Sequence, residues 1–157
     1  MQSLLKPESR DALWQRTAAL RPDTPARWGQ FTAPQMLAHL IQSLRMTSGD
    51  LAIPPEPAPW VLSHAPLKHL LIYVLPIPKG MSTFPELLAR PAAEPLNLSD
   101  PAWAEEQQAF RDALDAIGAM DPKGDWPDHG AFGPLTGSEW GALQYRHLDH
   151  HLRQFRC

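Results

Sequence analysis

A chain of 157 residues and 17.6 kDa has the length of one ordinary domain and can bury a hydrophobic core without borrowing a partner. Hydrophobic residues make up 43% and charged residues 20%, with 18 prolines and 9 glycines, which excludes a disordered or collagen-like chain. Lys and Arg total 14 against 17 Asp and Glu, so the net charge of -3 supplies no cationic field for collecting nucleic acid or anionic lipid.

The first predicted element runs from Ser9 to Leu20, where Leu13, Trp14, Ala18 and Leu20 form an irregular apolar stripe that Pro22 and Pro25 close. Trp28, in the following connection, is expected to cover one end of the core. Thr32, Pro34 and Gln35 then make a helix start, because threonine caps free amides, proline fits the first turn and glutamine occupies the reciprocal capping position. Met36, Leu37, Leu40, Ile41, Leu44 and Met46 recur at helical spacing and Gly49 ends the element, which predicts a helix from Ala33 to Ser48.

Between Gly49 and Asp100, Pro54, Pro55, Pro57 and Pro59 remove amide donors and exclude a central strand. Pro66 to Leu75 predicts a short helix, and Phe84 to Ala89 one further turn. Ser99 or Asp100 ahead of Pro101 starts the next long helix, whose apolar stripe is Trp103, Phe110, Ala113, Leu114 and Ile117, ending at Gly118. Glycines and prolines between Asp121 and Pro134 mark a loop. Thr136 and Glu139 form a second capping box before a helix expected to reach about Phe155, with Trp140, Leu143, His147, Leu148, His151, Leu152 and Phe155 spread over more than half its circumference.

The pieces predict an all-α fold: a bundle of one short and three longer principal helices, with a connection of roughly 50 residues between the second and third. Residues 1–157 are expected to form a single domain, as monomer or homodimer. The one cysteine, Cys157, ends the chain and permits no intrachain disulfide; the longest strongly apolar run, Leu70 to Leu75, stops at Pro76. With Pro7 and a charged segment following Met1 to Lys6, the expectation is a cytoplasmic protein without membrane span, membrane partner or nucleic-acid partner.

The histidines carry the chemistry. His147 and His151 stand four residues apart, so a helix presents both on one face and their imidazoles can converge on one cation. A third nitrogen could come from His39, beside Met36, Leu40 and Ser43 on the second long helix, although periodicity leaves His64, His69 and His129 as alternatives. Three neutral imidazoles would leave a coordination position open to water, substrate oxygen or thiol. His150 is expected to point sideways rather than to ligate. No Glu lies between His147 and His151, so the zinc-protease helix pattern is absent, and Asp149 is expected in solvent or an ion pair. Ser43 is assigned to core or helix-backbone hydrogen bonding, with a bond near His39 as the alternative; Arg146 and Arg153 either attract an anionic substrate or lie on the wet side of the last helix. Trp28, Trp60 and Trp126, near connections, are the candidates for pocket walls.

The stretches DHGAFGPLTGSEWGALQYRHLDHHLRQF, Asp128 to Phe155, and FTAPQMLAHLIQSLRM, Phe31 to Met46, resemble the DUF1569 branch of the DinB-like/YfiT-like metal-binding helical bundles. The resemblance implies a four-helix bundle in which His39, His147 and His151 bind a divalent metal, zinc or nickel first among the candidates. It also implies thiol-dependent transfer to a small molecule, since that superfamily contains thiol-dependent transferases and an isomerase; a low-molecular-weight thiol is the expected partner. Gly130 stands where the branch carries proline after the histidine, which is expected to loosen the turn at His129. The alternatives are a noncatalytic metal-binding or structural bundle, a metal-dependent hydrolase, and a binding module with the proline-rich section around Trp60 as one wall of a groove.

Overall fold

The computed structural model describes residues 1–54, 64, 66–77, 87–88 and 101–157. The expectations for Pro55, Pro57, Pro59 and Trp60, for most of the turn from Phe84 to Ala89, and for Ser99 and Asp100 lie outside the described residues. The remainder is all-α: α1 (Pro7–Ala18), α2 (Ala33–Ser48), α3 (Leu67–Tyr73), α4 (Pro101–Ala119) and α5 (Gly137–Gln154). Among the described residues no helix is long and apolar enough to cross a membrane.

The two capping boxes form as the sequence predicts. At α2 the Thr32 hydroxyl accepts from the Gln35 amide at 3.3 Å while Gln35 Oε1 accepts from the Thr32 amide at 3.0 Å. At α5 Thr136 and Glu139 make the same exchange, at 3.3 and 2.8 Å. Gly49 closes α2 with φ 88, a left-handed conformation that its missing Cβ permits. α1 differs from its predicted span: Pro7, tolerated in the first turn because it has no amide to leave unpaired, starts it, and the helix ends at Ala18.

α1, α2, α4 and α5 form a four-helix bundle, with α3 lying in the long connection. α2 packs against α4 and α5, α1 packs against the same two, and among the described helices α3 packs on α5 alone. α1 and α2 therefore occupy opposite corners, as do α4 and α5. The long connection joins helices that are neighbours in space. Leu13 of α1, Met36, Leu37, Leu40 and Leu44 of α2, Phe110, Leu114 and Ile117 of α4, and Leu148 and Leu152 of α5 fill the centre, each at most 1% exposed. Each buried leucine stabilises by about 1.5–3 kcal/mol relative to an exposed one.

α3 is tied to α5 at both ends. Lys68 Nζ and His69 Nε2 reach Glu139 Oε1 at 2.9 and 3.1 Å, and at the other end the Arg146 guanidinium donates to the carbonyls of Leu71, Ile72 and Leu75. Those carbonyls belong to a helix end that cannot satisfy them internally. Arg146 is therefore partly buried in an interhelical contact, which corrects its placement on the wet side of the last helix.

Candidate metal centre

The α2/α5 contact brings His39 against His147 and His151. The capping boxes fix where each helix starts and hence which residues share a face: His39 lies one turn before Ser43 on α2, and His147 one turn before His151 on α5. One ring nitrogen from each of the three lies within 4.8 Å of the other two, and His39 Nε2 is 3.1 Å from His147 Nε2. The rings meet edge to face, with centroids 4.9–5.1 Å apart.

What the opposite nitrogens touch decides the chemistry. His39 Nδ1 stands 3.2 Å from the Leu87 carbonyl, which can only accept, so Nδ1 carries the proton. His151 Nδ1 donates to Gln154 Oε1 at 3.0 Å, and that amide is oriented by its own donation to the Trp28 carbonyl. His147 Nδ1 faces Ser43 Oγ at 3.1 Å and Gln144 Oε1 at 3.4 Å, while the Ser43 hydroxyl donates to Gln144 Oε1 at 3.0 Å. The serine oxygen is left to accept from His147. In this network all three Nε2 atoms present lone pairs. The 3.1 Å between His39 Nε2 and His147 Nε2, the length of an N–H···N hydrogen bond when one of them carries a proton, is close to the roughly 3.3–3.4 Å between nitrogens bound to one tetrahedral zinc at about 2.0–2.1 Å. The donor set fits a divalent metal.

Electrostatics keep the triad unprotonated. Burial lowers His39, with its Leu87 contact acting weakly the other way. Burial, followed by the neighbouring imidazoles of His151, His39, His150 and His129, holds His147 well below the usual imidazole value. His151 falls to about 4, chiefly through burial and then through His39. Neutral imidazole is the form that ligates. His39 is 3% exposed, whereas His147 and His151 keep part of their surface open to solvent, so the cluster has an access side. Phe31 supplies an apolar wall, its ring 5.3 Å from His39 and 5.9 Å from His151.

Among the described residues the cluster contains none of the alternatives His64, His69 and His129. His69 binds Glu139. His129 closes a turn: its Nδ1 accepts from the Ala131 and Phe132 amides at 3.0 and 3.3 Å, and its ring packs on Trp140 and Phe132. His129 and Gly133 also exchange backbone hydrogen bonds of 2.9 and 2.8 Å. With Gly130 in place these bonds still close the compact turn through Gly133. His150 turns sideways against the Trp28 ring at 5.9 Å. Asp149 pairs with Arg16 at 2.8 Å and Arg153 at 2.9 Å, away from the triad. Cys157 is partly buried, which raises its thiol pKa against the weaker opposing effect of Arg16.

Ser43 makes a core hydrogen bond, as expected, and its hydroxyl reaches Gln144 and His147 rather than the helix backbone. Gln144, Gln154 and Phe31 were not singled out from the sequence. The two glutamines carried a signal nonetheless: each stands three residues from a histidine on the same helix, Gln144 before His147 and Gln154 after His151. Ser43→Ala is expected to weaken zinc binding by about 10- to 100-fold while the far-UV circular dichroism stays unchanged, because it removes the acceptor that orients His147. Competition with a chromogenic chelator measures the affinity; an unaltered value would remove Ser43 from the centre.

Gly29 holds the loop that carries Trp28. Its φ is +78, and an added Cβ would stand 2.5 Å from Gln154 Nε2, so Gly29→Ala strains the backbone and pushes on the amide that orients His151. The expected result is a loss of about 1–3 kcal/mol in urea denaturation, together with weaker zinc binding. Loss of stability without loss of affinity would uncouple the loop from the metal centre.

No curated protein and no solved structure matches the chain. The family model DUF1569, described as a protein of unknown function, matches residues 2–157. With its match spanning almost the entire chain, its bundle and its clustered histidines, this protein belongs to the DUF1569 family.

Proposed function

We propose that His39, His147 and His151 hold one divalent metal ion, zinc or nickel, and that the protein is a metal-dependent enzyme transferring a low-molecular-weight thiol to a small electrophile. The observation that carries the reading is the common orientation of the three imidazoles. Each Nδ1 stands against a protein oxygen, which leaves the three Nε2 atoms for one ion, and one ring nitrogen of each histidine lies within 4.8 Å of the other two. A bound divalent ion supplies Lewis acidity, lowering the proton affinity of a thiol or water in its remaining position.

The surroundings favour a thiol over water. Hydrolysis needs a proton acceptor for water, and among the described residues no carboxylate belongs to the cluster; Asp149 is occupied by two arginines. A thiol, with an ordinary pKa of about 8.5, needs far less help to ionise. The thiol must come from outside, since Cys157 has a raised pKa and does not belong to the cluster. Phe31 limits water at one side of the histidines, and Ser43, Gln144 and Gln154 hold the rings in place. The resemblance to a superfamily containing thiol-dependent transferases supports the same reaction class.

The test is elemental analysis of protein purified without a histidine tag, followed by a thiol-consumption assay with a reactive aryl halide. One ion per chain, and glutathione consumption that chelation stops and one cation restores, is the expected result. Metal without turnover leaves a noncatalytic metal-binding bundle, and folded protein that takes up no stoichiometric metal overturns the proposal.

A further inference from the structure

Beside the histidine cluster, on the adjoining face of α5, lies a cleft of about 450 Å³. That volume falls within the range of small-molecule sites, about 300–1,000 Å³. Trp28 and Ile77 contribute an apolar wall, and Arg146, Asp149, His150 and Arg153 a polar one. The four polar residues fall at helical spacing along α5 and so line one strip of its surface.

The charge of that strip is unbalanced. Arg146 donates to three backbone carbonyls and, among the described residues, has no carboxylate partner. Arg153 shares the single carboxylate of Asp149 with Arg16. Two guanidinium groups thus share one carboxylate, and Arg146 lines the same cleft. A net positive wall opposite an indole and an aliphatic side chain matches a small organic anion with an apolar body.

The cleft is also coupled to the histidines. His150 lines it, with its ring 5.3 Å from that of His151. Trp28 is held by Gln154, whose amide donates to the Trp28 carbonyl and accepts from His151. We infer that this cleft binds a carboxylate-bearing small molecule through Arg146 and Arg153, with its apolar part against Trp28, and is the subsite for the anionic end of the substrate. Its role as a substrate subsite rests on the metal-enzyme reading; carboxylate binding does not.

The test uses metal-free, chelator-treated full-length protein and hydrocinnamate as the probe, followed through the Trp28 indole N–H by nitrogen-edited NMR, with Trp28→Phe to assign the signal. Saturable shifts in the millimolar range are expected, and the neutral amide of the same acid should bind about fivefold more weakly or not at all. Arg153→Gln should weaken hydrocinnamate about two- to fivefold. Asp149→Asn, which removes the carboxylate that Arg153 shares with Arg16, should tighten it by a similar factor. Both variants are checked for a wild-type thermal midpoint; one that fails the check is replaced by Arg153→Met or Asp149→Ser. No saturable Trp28 shift, equal binding of acid and amide, or failure of the two variants to move affinity in opposite directions overturns the inference. Because the assay contains no metal, an empty cleft beside a stoichiometric metal leaves the metal reading standing. Carboxylate binding in a protein that takes up no metal does the reverse.

Discussion

His147→Ala is expected to abolish the thermal stabilisation that zinc gives the wild-type protein. A ligand that binds only the folded state stabilises by about 4 kcal/mol when its free concentration is a thousand times its dissociation constant. For a chain of this length that raises the midpoint by roughly 8–16 °C. His147 is the proposed ligand to remove because its Nε2 faces that of His39 at 3.1 Å and its Nδ1 is held by Ser43. Without it, two imidazoles from different helices remain and the shift should fall to a small fraction of the wild-type value. Differential scanning calorimetry with chelator and with saturating zinc measures both midpoints. The difference between them is the readout, so any cavity left by truncation cancels. A variant that keeps the full zinc-dependent shift would place the metal elsewhere.

The bundle was legible because its helix boundaries are written locally. Thr32 with Gln35 and Thr136 with Glu139 specify starts by hydrogen bonds spanning three residues, and Gly49 specifies an end through its φ. The stripe of Trp103, Phe110, Leu114 and Ile117 is buried as its spacing predicts. The pairing of His147 with His151 was legible for the same reason, one helix turn separating them. The choice of His39 over His64, His69 and His129 was not, because it depends on which faces α2 and α5 turn toward each other. Family resemblance supplied His39, and packing brings it to the pair. The contacts to the Leu87 carbonyl, to Ser43 and between Trp28 and Gln154 join distant parts of the chain, and no periodicity encodes them. Arg146 was misplaced on the same account: its position is exposed on an isolated helix and becomes covered only when α3 docks.

In the presence of chelator, stability should be level above about pH 7 and fall steeply as pH drops below 6.5. Burial is the first cause of the lowered pKa at His39, His147 and His151, and burial alone lowers His129 to about 4. In the unfolded chain each titrates near the ordinary imidazole value, so between that value and the folded one the unfolded state holds more protons. Stability must then rise with pH in this window and be lost as pH falls through it, by up to about 1.4 kcal/mol per pH unit for each histidine. For His129 and His151 the window extends from 6.5 down to about 4. Glu139 acts elsewhere: burial would raise its carboxyl, but the Thr136 amide, Lys68 and the Thr136 hydroxyl more than reverse this and bring it to about 2. Its contribution is complete above 4.5 and disappears only as pH falls toward 2. Urea midpoints measured from pH 8 to pH 5 therefore report the histidines, and a flat profile would mean that they are not held neutral in the folded protein. Repeating the series with saturating zinc separates the groups, because a metal at the proposed site would compete with protons for the Nε2 lone pairs of the triad. The share belonging to His39, His147 and His151 should move to lower pH, while that of His129, whose Nδ1 is occupied by backbone amides outside the cluster, should stay where it was.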